Sequence, residues 1–266
     1  MITFNYRLYM STEERHRSIA ELLRHREQVS VEELVSECGA SGATIRRDLD
    51  VLERNGVLRR VHGGARSLVL RGENPEYGQR ELEDHAGKVR IAAGVAALLT
   101  DRGHVWLDSG TTATEVARQL RQREMTLMPM SLRAVNVLAD GGLAARRRPE
   151  LLLPGGSLTA GELSFRGPMT ESNIRSLRFD TAVVTPCALN LRDGLLAHDL
   201  DDAAVKRAGL ESAGRVIVAC SGTKWNAVAV ALVAPLEAVD ILVTNRDLTP
   251  EELAQLARHS VEVVIV

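Results

Sequence analysis

Two stretches of the chain place polar and charged side chains at spacings that could do chemistry. In the first, Ser41, Thr44, Arg46 and Arg47 open a segment whose apolar residues, Ile45, Leu49 and Leu52, recur at i, i+4 and i+7. Such a stripe is one face of a helix. Thr44, Arg46 and Arg47 then lie near the helix N-terminus, turned from the core, where side chains can reach base edges in the DNA major groove and Arg can bind guanine through two hydrogen bonds. By themselves two adjacent arginines are more often a solvated helix face. In the second stretch, Asp108-Ser109-Gly110-Thr111-Thr112 stands between an apolar run and a helical pattern. Small hydroxyl residues and a glycine let backbone N–H groups at a helix start approach an anion, typically a phosphate. Thr112 with Glu115 three residues on also fits a capping box, so a plain helix cap is the competing reading.

The elements that must hold the first stretch are legible. Ser11-Thr12-Glu13-Glu14 is a capping box followed by Ile19, Leu22 and Leu23 at helical spacing, which predicts a helix over 12–26. Ser30-Val31-Glu32-Glu33 opens a second, short helix that Cys38-Gly39-Ala40 ends, and Ser41 caps the third, with Asn55 and Gly56 as its stop. Residues 57–65 read as two extended pieces around a turn. The pattern is a winged helix-turn-helix, in which Arg59, Arg60 and His62 of the wing would meet phosphates or the minor groove. Residues 1–9 fall outside it.

Residues 67–84 hold Gly72, Pro75 and Gly78, several charges and no sustained period, and are read as a linker. From Lys88 helical and strand patterns alternate: strands at 104–108, 125–130, 150–156, 179–186, 215–220, 238–245 and 261–266, and helices at 88–99, 114–122, 133–140 and 202–213 with a last one capped by Thr249-Pro250-Glu251-Glu252. That rhythm predicts an α/β domain with a mostly parallel sheet covered by helices, whose ligands bind at the carboxyl ends of the strands. The expected organisation is a DNA-binding domain over 10–66, a linker over 67–84 and an α/β domain over 85–266.

Composition narrows the class. The 266 residues are 45% hydrophobic and 26% charged, an ordinary globular balance that excludes a disordered, collagenous or coiled-coil chain. No run approaches the 18 or so apolar residues of a membrane span, and no basic region followed by an apolar run opens the chain, so a cytoplasmic protein without a membrane partner is expected. Cys38, Cys187 and Cys220 show no paired spacing for a disulfide framework or zinc, and no metal or cofactor is expected. Residues 1–71 carry a net charge of +2 against −4 for the remainder, a mild basic tilt. Only 3% of residues are aromatic, which disfavours recognition of unpaired RNA bases.

The run TIRRDLDVLERNGVLRRVHGGA, residues 44–65, resembles almost residue for residue the DNA-binding signature of the DeoR family of bacterial transcription regulators. The resemblance implies that Arg46 and Arg47 contact DNA, that Asp48 orients an arginine and that Ile45, Leu49 and Leu52 are core. Asp-x-Gly-Thr-Thr, a Leu-Leu-x-Gly-Gly strand end, Lys-Arg on a helix and Thr-Lys-Trp after a strand are similar to the sensor domain of the same family, a relative of sugar-phosphate isomerases that binds phosphorylated sugars as inducers. Carried over, Asp108, Ser109, Gly110, Thr111 and Thr112 would line an effector pocket, with Ser131, Gly155, Gly156, Lys206 and Lys224 around it. Lys206 and Lys224 are two of the three lysines in a chain that otherwise uses Arg, and a retained Lys suits a compact point charge; Lys88, the third, is read as structural. The chain departs from the family at Pro129 and Met130, at Thr185 to Ala188, and at Ser221, where Asp is common. All three changes remove polarity or backbone freedom, so the expected effector is not a typical hexose phosphate, or is bound differently.

The implied function is a DNA-binding repressor of a carbohydrate operon, released by a phosphorylated sugar or related anion and acting as a homodimer or homotetramer on repeated half-sites. The competing function is a sugar-phosphate isomerase or deaminase carrying a DNA-binding domain, with Asp108, Glu162 and His198 as acid/base candidates; no local motif joins those three.

Overall fold

The computed structural model describes residues 10–26, 28–55, 57–67, 77–140 and 148–266, divided into two compact units at Glu83 and Asp84. Residues 1–9, which precede the expected winged helix, Gly56, part of the third helix's stop, and residues 68–76, half of the expected linker, lie outside the described residues.

The N-terminal unit runs α1 (Thr12–His25), β1 (Gln28–Ser30), α2 (Val31–Cys38), α3 (Gly42–Arg54), β2 (Leu58–Val61), β3 (Gly64–Ser67) and α4 (Tyr77–Leu82). Both expected capping boxes form. Ser11 and Glu14 exchange backbone and side-chain bonds at the start of α1, and Ser30 and Glu33 do the same at α2. Gly39 ends α2 at φ +64, a left-handed position that costs glycine little. Ile45 and Leu49 are wholly buried and Leu52 nearly so, packed with Ile19, Leu23, Leu34 and Leu58; each such side chain contributes about 1.5–3 kcal/mol of burial. The three short strands form an antiparallel sheet in the order β1-β3-β2. β3 approaches β1 so closely at Gly64 that a Cβ there would stand 2.1 Å from the Val29 carbonyl oxygen. Part of the segment read as linker is helical: α4 buries Tyr77 and its Gln79 side-chain amide donates to the Val57 carbonyl. A six-residue helix is too short to show a period, which is why sequence pattern misses it.

The second unit continues with α5 (His85–Leu98), β4 (His104–Leu107), α6 (Thr111–Leu120), β5 (Thr126–Pro129), α7 (Leu132–Ala139), β6 (Glu150–Leu151), β7 (Ser157–Leu158), β8 (Phe165–Arg166), α8 (Pro168–Arg175), β9 (Thr181–Val184), β10 (Ala188–Asn190), β11 (Gly194–Ala197), α9 (Leu200–Glu211), β12 (Val216–Cys220), β13 (Ala231–Ala234), β14 (Ile241–Thr244), α10 (Pro250–Arg258) and β15 (Glu262–Ile265). The seven expected strands form one parallel sheet in the order β15-β14-β12-β9-β4-β5-β6. β4, β9, β12 and β14 are almost entirely buried, as strands covered on both faces must be. Two hydrophobic clusters, one around Trp106, Val184 and Val218 and one around Ile91, Leu107 and Val243, fill the two faces. A three-stranded antiparallel sheet, β10-β11-β13, and the β7-β8 pair are additions that the sequence reading did not contain.

Candidate nucleic-acid interface and anion site

Ser41 caps α3: its hydroxyl accepts from the Thr44 N–H (3.2 Å) and lies 2.9 Å from the Thr44 hydroxyl. Arg46 and Arg47 are exposed one turn further on, while the residue after them is buried. Asp48 accepts from Arg15 Nε at 2.8 Å and Nη2 at 3.2 Å and lies 3.1 Å from His16 Nε2. The arginine it orients is therefore Arg15 of α1, whose guanidinium it holds above its ordinary pKa through the hydrogen bond, and neither Arg46 nor Arg47. The carboxylate locks the recognition helix onto α1 and leaves both arginines unclaimed by it.

The wing turns at His62 and Gly63, Gly63 taking φ +77. Arg59 and His62 are exposed. Arg60 is half-buried. Its guanidinium pairs with Asp50 of α3 through Nη1, and its N–H donates to Glu53 Oε1 at 2.8 Å, so it ties the wing to the helix as well as standing in the wing.

The second site is built at the carboxyl ends of β4, β9 and β12. Asp108 follows β4 and is 1% exposed; Lys206, inward on α9, is 2% exposed. The Lys206 ammonium donates to both Asp108 oxygens, at 2.8 and 2.7 Å, and lies 3.0 Å from Asp202 Oδ1 one helical turn earlier. Asp108 also accepts from the N–H groups of Ser109 (2.7 Å) and Thr185 (2.8 Å), and the Thr185 hydroxyl donates to the Ser109 carbonyl at 2.7 Å. Burial pushes the Asp108 carboxyl above the usual carboxylate range against the pull of Lys206. Burial alone would depress Lys206, but Asp108 and Asp202 outweigh it and raise its pKa. Lys206 is thus a charged group spent on two carboxylates, and Asp108 fixes the loop that follows it. Cys187, after β9, has its thiol 3.7 Å from Asp202 Oδ2, and burial raises its pKa despite Lys206 and Lys224.

The expected capping box at Thr112 does not form. Gly110, at φ +98, is the N-cap and contributes no side chain; its carbonyl receives the Thr114 N–H at 3.0 Å and the Thr114 hydroxyl at 2.9 Å, so Thr111 and Thr112 already lie in the first turn of α6. Glu115 lies 3.2 Å from Arg118 Nε instead. Only glycine adopts such a φ readily, and helix starts that lack a side-chain cap leave first-turn N–H groups for other acceptors.

Ser131 is buried and caps α7 through the Ala134 N–H at 3.2 Å. Pro129 is tolerated in an interior strand because β6 pairs only with Thr126 and Leu127, leaving Pro129 beyond it; Met130 is core. Gly155 and Gly156 adopt φ +70 and +95. Thr170 of α8 donates to the Gly155 carbonyl at 2.7 Å, and a Cβ on Gly156 would meet that hydroxyl oxygen at 2.0 Å. Gly156 thus leaves room for α8, whereas at Gly155 it is the positive φ, not space, that favours glycine. Lys224 ends a short 3₁₀ turn, Gly222–Lys224, directly after β12, beside Trp225. The Trp225 indole N–H donates to Glu252 (3.1 Å) and carries the Arg246 guanidinium 4.7 Å above its ring. Of the acid/base candidates, Glu162 stands in the turn before β8 and His198 follows β11, whereas the bonds of Asp108 run to Ser109, Thr185 and Lys206.

Residues 15–69 match the DeoR-like helix-turn-helix domain and residues 83–246 the DeoR C-terminal sensor domain. The chain belongs to the DeoR family. It is 33% identical over 240 residues to the transcriptional repressor AccR of Agrobacterium fabrum, covering 90% of this chain and 91% of that one. It is 31% identical to a putative aga operon transcriptional repressor of Escherichia coli O157:H7, over 96% and 94% of the two chains. It is 30% identical to the glycerol-3-phosphate regulon repressor of Haemophilus influenzae, over 87% and 88%. DeoR-family membership makes this a DNA-binding transcription regulator rather than an isomerase or deaminase. No helix among the described residues is long and apolar enough to cross a membrane.

Proposed function

We propose that the chain is a cytoplasmic DeoR-family repressor of a carbohydrate operon, reading its operator with α3 and the wing and released by a small phosphorylated sugar or polyol. The observation that carries the DNA half is the exposed Arg46 and Arg47 pair on a helix whose opposite face is wholly buried and whose Asp48 is anchored to α1. Arg46 and Arg47 meet base edges or flanking phosphates; Thr44, Ser41, Arg59 and His62 contact the backbone; Arg60 joins them. One small unit reads few base pairs, so a homodimer or homotetramer on repeated half-sites supplies the specificity.

The phosphate takes the uncapped first turn of α6, formed by Gly110, Thr111 and Thr112, together with Ser109 and the Lys224 ammonium, where backbone N–H groups and the helix dipole favour an anion. Asp108 and Lys206 act through the loop they hold, and Ser131, Gly155 and Gly156 through the walls they build. Thr185, Pro186 and Cys187 leave this pocket with fewer polar groups than the family pattern, which suits a ligand other than a common hexose phosphate. Release follows when ligand favours a subunit arrangement whose recognition helices no longer match the half-site spacing, and it requires the two arrangements to differ in ligand affinity. The test is a binding titration on the chain's own upstream DNA with phosphorylated and unphosphorylated sugars and polyols. Release by a phosphorylated compound alone supports the reading; release by neutral sugars overturns the anion site.

A further inference from the structure

Asp84 is the N-cap of the fourteen-residue α5, yet it gives that helix no side-chain bond. Its backbone is left-handed, φ 45 and ψ 42, a region uncommon outside glycine that Asp enters more readily than most residues. The carboxylate instead bonds to the loops that follow β12 and β14. Its Oδ2 accepts from the Ser221 hydroxyl at 2.8 Å and from the Asn245 side-chain amide at 2.8 Å, and Asn245 Oδ1 in turn accepts from the Gly222 N–H at 3.0 Å. Gly87 is obligatory beside this network, since a Cβ there would stand 2.1 Å from Asn245 Nδ2 and 2.4 Å from the Asp84 oxygens. Ser221 and Gly222 begin the 3₁₀ turn that ends in Lys224.

On the other side, Glu83 alone separates Asp84 from α4, whose Gln79 and Tyr77 are held within the N-terminal unit. The boundary between the two units falls between Glu83 and Asp84. The first residue of the sensor unit is therefore hydrogen-bonded to the turn bearing Lys224 and is joined by one residue to a helix of the DNA-binding unit. In this chain an Asp at 221 would bring a second carboxylate against Asp84 in place of the Ser221 hydroxyl that donates to it.

We propose that Asp84, with Ser221 and Asn245, is a positioning residue that couples the Lys224 turn to the DNA-binding unit, so that movement of the turn changes the path of the chain at the unit boundary and hence DNA affinity. The effector side of this coupling rests on the reading of Lys224 given above. Because linkage is reciprocal, breaking the tie at Ser221 alters DNA binding without any effector added.

The test is DNA affinity of the full chain, measured on a duplex that the wild type selects from a random pool, together with thermal unfolding of each variant. Ser221→Asp puts two carboxylates in contact and is expected to change DNA affinity at least tenfold, the sign reporting which state holds the tie. The exchanged pair Asp84→Asn with Ser221→Asp restores a donor to a carboxylate and is expected to return affinity to within threefold of wild type. A merely local structural role would lower the unfolding temperature of the sensor unit and leave DNA affinity of the folded chain unchanged. Ser221→Ala, expected to shift affinity about threefold, carries the test should Ser221→Asp not fold. Wild-type affinity in Ser221→Asp, or in Ser221→Ala where that variant carries the test, overturns the coupling alone, as does failure of the exchanged pair to restore it. A wild type that selects no duplex overturns the regulator reading and the coupling with it.

Discussion

Replacing Lys206 by Met removes the cation from a site where Asp108 is 1% exposed and keeps only neutral donors, the N–H groups of Ser109 and Thr185 and the Thr185 hydroxyl at 3.3 Å. Removing one partner of a buried pair costs about 3–5 kcal/mol, because the remaining charge is left uncompensated. Asp108 can escape part of that cost by binding a proton, and burial already raises its pKa. In the variant the folded pKa of Asp108 stands further above its unfolded value of 3.8. The sign follows: the folded state binds more protons than the unfolded state between those two values, so the loss shrinks as pH falls, by up to about 1.4 kcal/mol per pH unit. Asp108→Asn in the same chain removes the orphan charge and recovers most of the loss. Urea unfolding of the sensor transition at pH 7 and pH 5 measures all three effects. A loss under about 1 kcal/mol at pH 7 that does not change with pH, or no recovery in the double variant, would refute the pairing and return Lys206 to the status of a free phosphate ligand.

Asp48→Ala removes the carboxylate shared by Arg15 and His16, leaving Arg15 its bonds to the Met10 carbonyl and Thr12 hydroxyl; both basic side chains are partly exposed, so we expect about 2–3 kcal/mol of destabilisation of the N-terminal unit, below the fully buried case, and a urea transition unchanged in midpoint would contradict it. Arg47→Ala is expected to weaken specific DNA binding by at least tenfold, within the range of about 1–3 kcal/mol for one good base contact, while the circular dichroism and unfolding of the sensor unit stay those of wild type. Glu14 and Glu33 are held below their ordinary 4.5, first by the N–H groups of Ser11 and Ser30. Their contribution is present above that value and is lost as pH falls through the folded pKa values; the double variant Glu14→Gln with Glu33→Gln should flatten the acid side of the N-terminal unit's melting profile, and an unaltered profile would show that the boxes contribute nothing by charge.

What the sequence discloses and what it hides follow from range and period. The capping boxes at Ser11 and Ser30, the stripe Ile45, Leu49 and Leu52, and the seven sheet strands are local or periodic signals, and the structure has them all. The Asp108 to Lys206 pair joins residues 98 apart, so a lysine in sequence looks the same whether it serves a ligand or a carboxylate. Thr112 and Glu115 satisfy a capping pattern that fails because the helix is capped at Gly110, two positions before Thr112. β10 and β11 are joined through Leu191, Arg192 and Asp193, and their short apolar runs lack a distinct strand alternation. The turn at Ser221 read as lost polarity because its partner, Asp84, sits 137 residues earlier.

The central claim, that this DeoR-family chain represses by binding DNA and lets go on meeting a phosphorylated metabolite, is tested most directly by fluorescence anisotropy. The full chain is titrated onto its own upstream DNA at a stated salt concentration and then challenged with glycerol 3-phosphate and a panel of sugar phosphates beside their unphosphorylated forms. The account predicts sequence-specific binding that weakens with salt, as phosphate-contacting arginines require, and dissociation by a phosphorylated compound but not by its neutral counterpart. Absence of sequence-specific binding would contradict it.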